Sequence, residues 1–122
     1  MVDHQTDVTT SDRHTVKPWF NGKLDYSPEV EDFADQSFPL VGGRLDYINN
    51  RTVASLVYRH KKHLINLYIW PSKDGADGKV KERSEKGYNM IDWNKSGMTY
   101  WAISDLNGQE LREFVNLIRD QQ

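Results

Sequence analysis

The chain has 122 residues, of which 37% are hydrophobic and 28% charged, with sixteen Lys and Arg set against eighteen Asp and Glu. That length supports a single hydrophobic core, and a net charge of −2 creates no basic field that would draw nucleic acid or an anionic membrane surface. The absence of cysteine excludes a disulfide framework, Cys-ligated zinc, an iron–sulfur cluster and a thiol nucleophile, and no stretch approaches the ~18 to 20 consecutive apolar residues of a membrane-spanning helix.

Residues 1–13 are polar, rich in Thr and Asp, and show no hydrophobic period; they read as a tail or stalk, with 14–122 as one globular domain. From His14 to Tyr26 the sequence gathers Val16, Trp19, Phe20, Leu24 and Tyr26 around Pro18 and Gly22, which predicts an ordered but irregular segment pinned to the core by its aromatics. Ser27-Pro28-Glu29 reads as a helix start: Ser as N-cap, Pro at the first helical position and an acid in the first turn. Val30, Phe33 and Ala34 give this short helix an apolar face, and Pro39 ends it.

Between Phe38 and Trp70 the period falls to two. FPLVGGRLDYI, TVASLVYRH and HLINLYIW, separated by Asn49-Asn50-Arg51 and Lys61-Lys62, predict two hairpins in series, with Gly42-Gly43 marking a bulge or bend. Residues 71–86 are the most polar stretch and are expected to form a mobile surface loop. GYNMIDW and MTYWAIS, joined through Asn94-Lys95-Ser96-Gly97, make a third hairpin. A C-terminal helix follows, with Asn107 as N-cap, Glu110 completing a capping box, and Leu106 opposite Leu111 as a staple. Leu111, Phe114, Val115 and Ile118 lie on one stripe of it. The sum is an α+β fold: an antiparallel hairpin meander of about five strands, with the short N-terminal helix and the amphipathic C-terminal helix packed on one face.

The chemistry-bearing motifs are few. His60 and His63 sit in Arg59-His60-Lys61-Lys62-His63, where the cationic neighbours oppose metal ligation; the run reads as a solvated turn or as a basic patch for an acidic partner. Asp74-Gly75-Ala76-Asp77-Gly78 resembles a calcium loop, but Ala76 occupies its third position. No G-x-S-x-G, H-E-x-x-H or G-x-G-x-x-G occurs, so the expectation is a non-enzymatic domain without cofactor or metal. Tyr58 to Lys62 and Lys17-Pro18-Trp19-Phe20 interleave aromatics with cations as a single-stranded nucleic-acid groove does. The negative net charge weighs against that partner, and core packing is the better account of the aromatics. A soluble ligand- or nucleic-acid-binding module built on the turn 59–63 therefore stands as the alternative function.

The phrases VKPWFNGKLDYSP and FPLVGGRLDY, with GYNMIDWNKSGMTYWAISDLN, resemble the extracytoplasmic portion of bacterial transmembrane anti-sigma factors, and the likeness covers 14–105. In that family a cytoplasmic N-terminal module holds an extracytoplasmic-function sigma factor, and one membrane helix precedes a domain like this one. The resemblance implies a periplasmic sensory domain on the parent's single-pass anchor, regulating transcription in a stress response, with sigma binding assigned to no residue here. It makes an envelope protease or sensor a candidate partner, with 1–13 and 71–86 as the cleavable segments, and unpaired strand edges leave room for a homodimer. The candidate surface for signal coupling or partner binding comprises Lys17, Trp19 and Phe20, next to the stalk, with Arg59, His60, Lys61, Lys62 and His63.

Overall fold

A computed structural model describes residues 8–10, 12–72 and 77–122. Its elements in chain order are β1 (Val8–Thr9), α1 (Arg13–Asn21), a 3₁₀ turn (Ala34–Gln36), β2 (Leu40–Ile48), β3 (Arg51–His60), β4 (His63–Pro71), β5 (Lys81–Glu85), β6 (Tyr88–Lys95), β7 (Met98–Ser104) and α2 (Gly108–Asp120). The strands form one antiparallel sheet in the order β1-β2-β3-β4-β7-β6-β5. The α+β class and the antiparallel sheet agree with the sequence, but among the described residues the sheet has seven strands rather than about five. The two additions are the edges. β1 has only two residues, and β5 reads Lys-Glu-Arg-Ser-Glu with every residue exposed, so neither carries the apolar alternation by which a strand is read.

Two further expectations are corrected. The helix expected from Ser27 is absent: Val30 and Phe33 are buried, yet only the three-residue 3₁₀ turn forms there, closed by a Phe33–Phe38 bridge. Backbone groups of this segment are drawn into tertiary hydrogen bonds, the Pro28 carbonyl accepting from Lys17 and the Glu31 carbonyl from Tyr58, while Asp32 accepts from the amides of Ala34 and Leu40. The helix lies earlier, at α1, where an irregular segment was expected. Asp12 caps it by accepting from the His14 amide at 2.9 Å, and Val16 and Phe20, one turn apart, are fully buried; this outweighs the hydrogen bond that Pro18 cannot donate. Within the expected 1–13 tail, residues 1–7 and 11 lie outside the described ones, and Val8–Thr9 pairs with Gly42 and Gly43. In the expected 71–86 loop, 73–76 lie outside the described residues and 81–85 form β5.

The cross-strand registers sort the sheet into two faces. The row Gly43–Leu56–Leu67–Ala102–Ile91 belongs to the face that carries the core, and both helices pack there, α1 over β2 and α2 over β6 and β7. The adjacent row, Arg44–Ser55–Tyr68–Trp101–Asp92, belongs to the opposite face. Three hairpins turn on residue pairs with positive φ, Asn49-Asn50, Lys86-Gly87 and Ser96-Gly97, the type I′ geometry that matches strand twist. The register of β2 against β3 shifts between Leu40 and Gly42, at the bulge the glycine pair announces. Asn107 accepts from the Glu110 amide at 2.8 Å, as the capping signature predicts. Among the described residues no helix is long and apolar enough to cross a membrane.

Candidate functional site

The α1 junction is built from the first of the resemblance-bearing phrases. Phe20 lies against β2 at Gly43, where a Cβ would come within 2.7 Å of the Phe20 ring and 3.4 Å of Val16; only a bare α-carbon lets α1 sit this close. Trp19 is half-buried and meets Phe20 edge-on at 5.1 Å, with Lys23 5.9 Å over its ring. Lys17 Nζ donates to the Pro28 carbonyl at 2.9 Å and the Ser27 hydroxyl at 3.1 Å, and lies 3.5 Å from Glu29; Arg13 pairs with Glu31 at 2.7 Å. Of the three candidate residues here, Phe20 is core, Trp19 is a half-buried brace, and Lys17 ties α1 to 27–31.

Tyr26 closes the same unit. Its hydroxyl accepts from the Ala54 amide at 2.9 Å and donates to the Ile69 carbonyl at 2.6 Å, so it stands between β3 and β4 where Ala54 and Ile69 are paired. Burial pushes the hydroxyl's pKa upward, which keeps it a donor. Replacing Tyr26 by Phe strands one amide and one carbonyl, and the expected loss is about 1–3 kcal/mol in urea unfolding. A loss below a few tenths would show that the two strands close on each other without the phenol.

The basic turn is less basic than its sequence. Arg59, Lys61 and Lys62 are exposed, but His60 is 7% exposed and stacks on Phe38 at 4.2 Å. Its Nδ1 lies 2.7 Å from the Ser37 carbonyl and its Nε2 2.8 Å from Glu110 Oε2. Lys61 Nζ reaches the same Oε2 at 2.9 Å, and Asn107 Nδ2 donates to Oε1 at 2.8 Å. His63 pairs with Asp105 at 2.8 Å. His60 thus fastens the start of α2 to the β3–β4 turn, a role the local run of cations does not announce. The capping-box glutamate was the available signal, since a carboxylate at the head of a helix attracts whatever cation the fold brings near it.

Hydrogen bonds from Lys61 and then His60 hold the Glu110 carboxyl below its ordinary value of 4.5. The depressed value means that Glu110 stabilises the fold fully above that ordinary value and loses the contribution as pH falls through the folded one. In urea unfolding between about pH 6 and pH 3, the stability gap between wild type and Glu110→Gln should shrink as the solution is acidified. A constant gap would mean that the ionised carboxylate is not what holds the helix start.

Of the calcium-like run, Asp74, Gly75 and Ala76 lie outside the described residues, while Asp77 accepts from the Ser96 amide at 2.9 Å. Among the described residues no group of three or more His, Cys, Asp or Glu is placed to hold a metal.

The face away from the helices carries a polar network unseen in the sequence. Arg44 donates to Asn66 Oδ1 at 2.6 Å and to the Tyr68 hydroxyl at 2.8 Å, Asp46 lies 3.5 Å from the guanidinium, and Tyr68 donates to Asp46 at 3.3 Å. Ser55, cross-strand from both Arg44 and Tyr68, has a buried hydroxyl oxygen without a hydrogen-bond partner among the described residues. Trp70 and Trp101 stand 5.9 Å apart on this face, with Arg83 5.1 Å over Trp101. The candidate residues are therefore divided: the α1 set is tied to 27–31 and β2, while of the turn set His60 and Lys61 are tied to Glu110 at the start of α2, His63 to Asp105, and Arg59 and Lys62 are exposed. Compared with protein-family models, curated proteins and solved structures, the chain matches none.

Proposed function

We propose that this chain is the extracytoplasmic sensory domain of a membrane-anchored anti-sigma factor, without catalytic activity of its own. On this reading the sigma factor is held by a cytoplasmic part outside these 122 residues. The domain works on the periplasmic side of the inner membrane, where an envelope protease or sensor is the natural partner. The observation that carries the reading is that the two phrases of the resemblance fold into one unit. Val16 and Phe20 of the first pack at Gly43 of the second, Trp19 braces the Phe20 ring, and Tyr26 is hydrogen-bonded to the neighbouring strands at Ala54 and Ile69. An element that follows a membrane stalk and is clamped to a rigid sheet is what a sensor needs to turn a change in the domain into a pull on its tether.

The test uses the full membrane protein with its sigma factor and a sigma-dependent reporter. Gly43→Val, which breaks the α1 clamp, is expected to change reporter output several-fold at unchanged protein level. Phe114→Ala, which loosens the far end of the core, serves as the control for simple instability. Equal reporter output from Gly43→Val and wild type would overturn the reading, and so would an equal response from both variants.

A further inference from the structure

The helices do not tile the core face completely. Between α2 and the 29–31 segment lies a cavity of about 230 Å3, open to solvent. Its floor is Tyr58, Leu67, Ile69 and Tyr100, and Ile118 of α2 forms a wall. A dry apolar cavity of about 150 Å3 lined by Leu, Ile and Phe already admits benzene. This one has room for a single ring with a small substituent.

Charge decides the kind of occupant. Three charged residues are part of the lining, Glu29, Glu31 and Lys95, and each is paired with a residue outside it: Glu29 with Lys17 at 3.5 Å, Glu31 with Arg13 at 2.7 Å and Lys95 with Asp77 at 3.5 Å. An ionic ligand would lose its hydration and find these charges already neutralised. The Tyr58 hydroxyl is committed to the Glu31 carbonyl at 2.6 Å. The uncharged polar side chains left in the lining are Ser96, Gln121, and Gln122, which accepts from Trp93 Nε1 at 3.2 Å and is hydrogen-bonded to the Tyr100 hydroxyl.

We propose that this cavity binds a small uncharged molecule, largely apolar and carrying one hydrogen-bonding group, and that its occupancy is the signal the domain reads. The second half rests on the sensory reading above; the first does not. The cavity wall 29–31 is the segment that Arg13 and Lys17 fasten to α1, so an occupant that presses on the wall presses on the helix.

The probes are phenol, benzoate and benzylamine, titrated into the full chain and followed by NMR. Phenol is expected to give saturable 1:1 shifts at the Leu67, Ile69 and Ile118 methyls and at the Trp93 indole N–H. Each charged analogue should bind at least about tenfold more weakly, and Ile118→Phe, whose ring enters the cavity, should weaken phenol at least about tenfold. Intermolecular NOEs from phenol to the Ile118 and Leu67 methyls in wild type locate the ligand without any variant. Absence of saturable shifts and NOEs with phenol, or binding of benzoate as tight as phenol, would overturn the site while leaving the sensory reading intact. Phenol bound with unchanged amide shifts at Arg13 and Lys17 would overturn the signalling half alone.

Discussion

Phe114→Ala is expected to remove about 3–5 kcal/mol of folding stability and to lower the melting temperature by roughly 10–20 °C. Phe114 is fully buried on α2, with its ring 4.8 Å from Tyr58, 5.5 Å from Phe38 and 6.3 Å, edge-on, from Phe33. These neighbours come from β3 and from both flanks of the 3₁₀ turn, and Phe38 in turn carries His60. Truncation leaves a hole whose walls are other buried rings, of which Tyr58 is fixed by its hydrogen bond to the Glu31 carbonyl and Phe38 by stacking on His60, so collapse into it is limited. Phe114→Leu, which keeps most of the volume, should cost under half as much. An alanine variant within about 1 kcal/mol of wild type in urea unfolding would mean that the 33–38 segment moves in to fill the space.

The second large effect belongs to Gly43→Val. A valine there meets the Phe20 ring at once, and because Phe20 and Val16 are both fully buried, moving the ring aside lifts α1 from the sheet. Each of these side chains is worth roughly 1.5–3 kcal/mol of burial, so a loss of about 3 kcal/mol or more is expected. Hydrogen exchange gives the sharper reading: amides of α1 should lose protection while those of β3 and β4 keep theirs. Gly42→Ala provides the contrast, since its methyl would collide with the Val8 carbonyl oxygen and so acts on β1 rather than on α1. If Gly43→Val left α1 protected, the clamp would not depend on the bare α-carbon.

What could be read from the sequence was whatever has a local cause. The five strands with alternating apolar residues, the glycine bulge and the capped C-terminal helix are each specified by residues within a few positions of one another. The remainder depended on distant partners. Ser27-Pro28-Glu29 has the chemistry of a helix start, but its carbonyls are claimed by Lys17 and Tyr58, and no local propensity records that claim. α1 was hidden by Pro18, whose disruption is offset by Phe20 meeting a glycine twenty-three positions away. At the candidate site, Lys17, Trp19 and Phe20 were read as a coupling surface and are found in the α1 junction, whereas His60, read with its cationic neighbours, is buried. The Arg44 network joins β2 to β4 through side chains twenty-two and twenty-four residues apart. Spacings of that order leave no periodic trace.

The strand order has a consequence for how the chain comes to be made. β2, β3 and β4 are joined by tight turns, as are β5, β6 and β7, and the two triplets meet along one seam, β4 against β7. During synthesis the first triplet can zip up as soon as Pro71 has emerged, and its last strand then waits with one flank open. That strand reads His-Leu-Ile-Asn-Leu-Tyr-Ile-Trp-Pro, rich in β-formers and without Lys, Asp or Glu to discourage a stranger. Twenty-six residues separate Pro71 from Met98, so the nascent chain is most exposed to mispairing within that interval, and a slowly translated or interrupted message would aggregate through β4.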